Sequence, residues 1–213
     1  MSESKHNTTN NDPLKARIIK AARSSFAREG IRSVKMDDLA AQLGISKRTL
    51  YETFANKEAL VAACIREHRK ERIEIWKEAT VGTANVLEAL LNFFKWTACA
   101  HQNINQRFFE DLKKYPEICA EMKRNRDEDF QGRMIFFSQG VEQGLFRSDI
   151  KFDLLDRQFH DLFDLFIESD YYRARGVNEV MQQALFVFLR GAATGKGVAT
   201  IDAHLESQQE TAQ

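Results

Sequence analysis

The stretch over residues 36–57, MDDLAAQLGISKRTLYETFANK, constrains the fold of this chain more than any other. Met36, Leu39, Ala40 and Leu43 stand three and four apart, so they share one face of a short helix. Gly44 follows the last apolar residue and supplies the backbone freedom that a helix end needs. Ile45 fills the corner, and Ser46 is a natural N-cap for a second helix over 47–54. In that helix Leu50 and Phe54 turn inward at i, i+4, leaving Lys47, Arg48, Thr49, Tyr51, Glu52 and Thr53 on the other faces. Two cations, hydroxyls and a phenol suit the phosphate oxygens and base edges of a DNA major groove. The pattern is that of a helix-turn-helix whose second helix reads the duplex. Asn56 then caps a third helix with Lys57 in its first turn, and a helix N-terminus beside a lysine favours phosphate. The candidates for base edges are Lys47, Arg48, Thr49 and Thr53; those for phosphate are Tyr51 and Lys57. A helix, a glycine and another helix also occur in small proteins that bind nothing, so the rest of the chain must decide.

Charge distribution favours nucleic acid. The chain is neutral overall, but residues 1–70 hold 14 Lys/Arg against 8 Asp/Glu, a net +6, which leaves −6 on residues 71–213. A basic end on a neutral protein is the footprint of a polyanion partner. Two prolines in 213 residues, no hairpin dipeptides and sustained helical periodicity predict an all-α fold. The three cysteines, Cys64, Cys99 and Cys119, lie inside amphipathic segments and read as reduced thiols, which predicts a cytoplasmic protein. Residues 1–12 read as a disordered tail, and the longest apolar run, 59–65, is too short for a membrane span.

The segment LAAQLGISKRTLYETFANKEAL closely resembles the DNA-binding signature of the TetR family of bacterial transcriptional regulators. The preceding ARIIKAARSSFAREGIRSVKMDDLA resembles that family's first helix and its lead into the motif. The resemblance covers residues 14–62. It is carried by Gly44, Ser46-Lys47, Thr49-Leu50-Tyr51, Phe54 and Asn56-Lys57-Glu58, with Lys35 standing where many members place a Thr or Ser cap. It implies an N-terminal three-helix helix-turn-helix domain joined to a larger helical ligand-binding and dimerisation domain. It further implies a homodimer on a palindromic operator and a small, largely apolar effector held in the body.

In chain order, the spacing predicts a DNA-binding domain over 13–57 and a linking helix over 56–78. An effector and dimerisation domain follows over 79–197, then a C-terminal tail over 198–213. Within the body, helices are predicted over 84–102 (capped by Thr83), 105–113, 116–143, 152–173 and 177–194. The last two are apolar on more than one face, which calls for cover from outside the domain. Phe159, Phe163, Phe166, Val180, Ala184 and Phe188 are the dimer-interface candidates, docked against their copies as a four-helix arrangement. Sixteen phenylalanines, several in adjacent pairs, exceed what one seam per helix accommodates, so some rings line a cavity. Phe94, Trp96, Thr97, His101, Phe108, Met134, Phe137 and Phe163 are the effector-pocket candidates.

Catalytic patterns are missing from the sequence. Ser24-Ser25 lacks the glycines of a nucleophile elbow, and no histidine falls in a metalloprotease pattern. The stretch from Gly191 to Gly197 has one residue too few for a phosphate loop and reads as close helix packing followed by a helix end. His160 and Asp164, one turn apart, fit either a metal pair or a solvated helix pair, and the latter is the commoner case. No catalytic residue, metal or cofactor is assigned. A small helical ligand carrier or enzyme with an incidental helix-turn-helix is the alternative that the residues leave open.

Overall fold

The computed structural model describes residues 13–101, 104–169 and 175–211; the tail read over 1–12 lies outside them. Within these ranges the side chains of residues 101, 167, 168, 177, 178 and 207–211 are not described. The fold is all-α, with eleven helices among the described residues. They are α1 (Pro13–Glu29), α2 (Met36–Leu43), α3 (Lys47–Thr53), α4 (Lys57–Thr80), α5 (Val86–His101), α6 (Gln106–Leu112), α7 (Pro116–Glu128), α8 (Phe130–Glu142), α9 (Phe152–Glu168), α10 (Val177–Ala192) and α11 (Gly195–Thr211). One isolated antiparallel bridge joins Phe146 to Ala193.

The first three helices are too short to persist alone and fold by burying one another. Ile18, Ala22 and Phe26 of α1 meet Leu39, Leu50 and Phe54, and Leu60, Val61 and Cys64 of α4 close the cluster. Two further members, Leu112 and Ile118, come from the body. The core of the head is therefore not local in sequence.

Short α6 makes that connection. The Asn105 amide donates to the Ala27 carbonyl at 2.7 Å, and its side-chain amide donates to the Arg28 carbonyl at 3.1 Å. The Arg32 backbone amide donates to the buried Asp111 carboxylate at 2.6 Å. Gly30, at φ +85°, makes the approach possible, since a Cβ there would lie 2.8 Å from the Cβ of Arg107. No side chain fits both that conformation and that gap.

A second core fills the body. Trp76, near the end of α4, sits edge-on to Phe93 of α5 and Phe136 of α8 at 5.3 and 5.0 Å between ring centroids. Leu87, Leu91, Leu145, Phe146, Leu185, Leu189 and Ile201 complete this cluster.

Three expectations are corrected. The helix expected over 116–143 is two, α7 and α8, meeting at Asp129. No proline or glycine marks the break; the Asp129 carboxylate instead accepts from Arg69 of α4 at 2.9 Å. The tail expected over 198–213 is instead occupied by α11, which packs along α5. Val198, Ile201 and Leu205 recur at helical spacing, and Ile201 is wholly buried. Finally, Asn85 rather than Thr83 caps α5. The Glu88 backbone amide donates to Asn85 Oδ1 at 3.0 Å, and the Asn85 side-chain Nδ2 donates to the Glu88 carboxylate at 2.9 Å.

Candidate nucleic-acid interface

The turn between α2 and α3 is fixed by backbone chemistry. Gly44 adopts φ 66°, ψ 31°, a left-handed conformation that β-carbons disfavour. Its amide donates to Ala41 at 3.1 Å and the Ile45 amide to Ala40 at 3.0 Å, which satisfies two terminal carbonyls of α2. At the other end of α2, Lys35 is extended and makes no side-chain cap; Asp37 and Asp38 in the first turn complement the helix dipole instead. Ser46 caps α3 by accepting the Thr49 amide at 3.0 Å. Leu50 is fully buried and Phe54 nearly so, which holds the opposite face of α3 outward.

Of the six expected DNA contacts, Lys47, Arg48 and Tyr51 stand exposed, Tyr51 at 46%. Both cations are paired within the chain. Lys47 Nζ donates to Asp37 Oδ2 at 2.6 Å, and that hydrogen bond, with the charge of Asp37, raises its pKa. Arg48 Nε donates to Glu52 Oε1 at 2.7 Å. The remaining three are turned to internal work. The Thr49 hydroxyl meets that of Ser46 at 2.8 Å, and the Thr53 hydroxyl donates to the Thr49 carbonyl at 2.9 Å. Half-buried Lys57 donates to the Arg32 carbonyl at 3.2 Å, and burial lowers its pKa against the pull of Asp111. Lys57 and Asp111 thus hold the two polar backbone atoms of Arg32 between them. Sequence reasoning missed Asp37 and Asp111, because neither partner is a helical neighbour of the residue it holds.

The expected pocket residues fall in three places rather than one. Phe94 meets Phe159 edge-on, Trp96 stacks on Phe93, and the Thr97 hydroxyl donates to the Phe93 carbonyl at 2.9 Å. Phe108 and Phe163 join Phe109 in a separate cluster against α6. Met134 and Phe137 line an open cleft of about 370 Å³ with Ile150 and Phe152. The His101 side chain lies outside the described residues.

The expected dimer-interface residues divide by burial. Phe166 is fully buried against Phe109, so it is closed to a partner chain. Phe163 and Val180 pack in the same cluster, Phe159 meets Phe188 within the chain, and Ala184 is half-buried. Phe159, Phe163 and Phe188 are thus part-buried, each packed on one side within its own chain. Among the described residues, Leu154, Leu165 and Val187 are the large exposed apolar side chains of these helices, at 54%, 46% and 67%. His160 and Asp164 are also engaged: His160 Nδ1 lies 2.8 Å from the Asp156 carbonyl oxygen, and Asp164 receives both guanidinium ends of Arg126 at 3.1 Å. Among the described residues no group of three or more His, Cys, Asp or Glu is placed to hold a metal ion, and no helix is long and apolar enough to cross a membrane.

Comparison with known proteins agrees with this geometry. The model of the bacterial regulatory proteins, tetR family, matches residues 18–64. The HTH-type transcriptional repressor KstR2 of Mycobacterium tuberculosis is 28% identical over 189 residues, which cover 85% of this chain and 93% of that protein. The solved structure of this ketosteroid transcriptional regulator superposes with a TM-score of 0.54 at 25% identity, over 87% of this chain and 97% of its own. A transcriptional regulator from Saccharomonospora viridis, solved in complex with choline, shares the fold with a TM-score of 0.67 at 20% identity, over 85% and 98% of the two chains. These relatives are regulators rather than enzymes. The helix-turn-helix end of the chain thus matches the tetR family model, and its helical body is similar along most of its length to a transcriptional repressor whose own fold it shares.

Proposed function

We propose that the protein is a ligand-responsive repressor of the cytoplasm that binds a palindromic operator as a homodimer. The observation that carries this reading is the joint between head and body. The head that presents Lys47, Arg48 and Tyr51 is hydrogen-bonded to α6 through Ala27, Arg28 and Arg32, and α6 belongs to the body. A shift of α6 reaches the reading helix through packed atoms, as a two-state switch requires. An effector need only prefer the body's non-binding arrangement; a ~100-fold preference corresponds to roughly 2.7 kcal/mol. Repression is favoured by the similarity to a repressor along most of both chains. The exposed faces of α9 and α10, with Leu154, Leu165 and Val187, are the surface for the second copy. Two copies joined there set two reading helices for successive major grooves.

The test is selection from a randomised duplex pool with the purified full chain at two salt concentrations. An enriched inverted repeat, bound less tightly by orders of magnitude at the higher salt, is the expected result. Absence of any enriched sequence with folded protein overturns the reading.

A further inference from the structure

The linking helix α4 carries an arginine that no carboxylate among the described residues pairs with. Arg69 donates to Asp129 at 2.9 Å. Arg133 binds both oxygens of Asp156 at 2.6 and 2.9 Å, and Arg126 both oxygens of Asp164 at 3.1 Å. Arg72, one turn beyond Arg69 on α4, has no carboxylate or other hydrogen-bond partner among the described residues. Its guanidinium lies over the ring of Phe93, 5.8 Å from the centroid. Arg72 is an exposed residue, and desolvation beside its neighbours, with the charges of Arg133 and Arg69 and against that of Asp129, lowers its pKa. Its guanidinium is thus backed by an aromatic ring on one side and open on the other. Beside it, Arg69 Nε is buried with no hydrogen-bond partner, a rare condition for a polar atom.

The surroundings are aromatic. Phe93 is met edge-on by Trp76 and Phe94 and is stacked by Trp96 at 6.4 Å. A guanidinium is the side chain best matched to the paired oxygens of a carboxylate or phosphate. One excess cation against an apolar wall fits a molecule with one acidic head and a hydrophobic body.

We propose that Arg72, backed by Arg69, receives a single acidic group of the effector, carboxylate or phosphate, whose apolar part lies along Phe93, Trp76 and Trp96. This deepens the ligand-responsive reading and rests on it. Arg72 is a receptor for charge at the body's aromatic wall, and its neighbours' carboxylates are kept from it by their own arginines.

Both tryptophans of the chain flank this site, so intrinsic emission reports on its occupancy. The full chain is titrated with decanoate, decyl phosphate and decanol, each below its micelle concentration. The expected result is a saturable emission change with the acids at least tenfold tighter than with decanol. Arg72→Gln, with an unchanged melting temperature, removes that preference and leaves decanol unaffected, while Arg72→Lys restores part of it. Whichever of decanoate and decyl phosphate binds tighter identifies the head group. Equal binding of acids and alcohol, a preference that survives in Arg72→Gln, or no emission change with either acid overturns the proposal. The same titration on the operator complex separates the two readings. Acid binding that depends on Arg72 but releases no DNA keeps the acid site and defeats the effector role. Release by decanol irrespective of Arg72 keeps a ligand-responsive repressor and defeats the acid site.

Discussion

In the proposed operator complex Lys47 meets DNA already holding a carboxylate, Asp37, at 2.6 Å. Transfer to a base edge exchanges one charge-assisted bond for another, so the gain is a difference between bases rather than a large affinity. Lys47→Ala is expected to change the ranking of operator variants by about 1–3 kcal/mol at its base pair, read from binding to a set of single-base variants. Tyr51 has a phenol that is exposed and suited to phosphate. Tyr51→Phe is expected to weaken every variant alike; a shifted ranking would reassign Tyr51 to base reading. The thiols separate by environment as well. Burial pushes the Cys64 thiol up to about 12 and raises that of half-buried Cys119, whereas Cys99 is exposed. A thiol whose pKa is raised carries little of the reactive thiolate at pH 8. Ellman's reagent at that pH is expected to modify Cys99 first and to leave Cys64 unmodified until the protein unfolds.

At the scale of elements, α6 is the joint on which the proposed control depends. Asp111→Ala leaves the Arg32 amide without its acceptor, which costs about 1–3 kcal/mol and lowers the melting temperature. Operator binding by the folded fraction is expected to persist while its release by effector weakens; an unchanged release would place the coupling elsewhere. None of this was legible in the sequence, because Asp111 and Arg32 are 79 residues apart. The helix-turn-helix was legible for the opposite reason. Leu39, Gly44, Ser46 and Leu50 each act within a few residues, and local rules govern such distances. The break at Asp129 was hidden because no proline or glycine stands at it, and its carboxylate pairs with an arginine 60 residues away. On α9, Phe166 and Leu165 are adjacent and comparably apolar, yet one is fully buried and the other 46% exposed. Periodicity found the two faces; which face turns inward depends on α6 and α10. The pocket residues were dispersed by the same ambiguity.

At the scale of the whole molecule, the basic head and acidic body are two charge regions over connected cores. Leu112 and Ile118 lie in the head's cluster, buried to within 3% of complete. A fragment ending after α4 loses both. Removing such buried side chains costs about 2–5 kcal/mol each, a large share of a small domain's stability. The fragment of residues 1–80 is expected to melt well below the full chain, or without a cooperative transition, by circular dichroism. A fragment as stable as the intact protein would refute the shared core. The same feature bears on recombination. Regulators are often pictured as a reader and a sensor that can be exchanged at the linking helix. Here the portable reader is discontinuous: it comprises residues 13–64 together with Leu112, Ile118 and the anchors Asn105 and Asp111. A chimera cut at α4 severs that unit. A working hybrid would have to inherit the second piece from the same parent as the first.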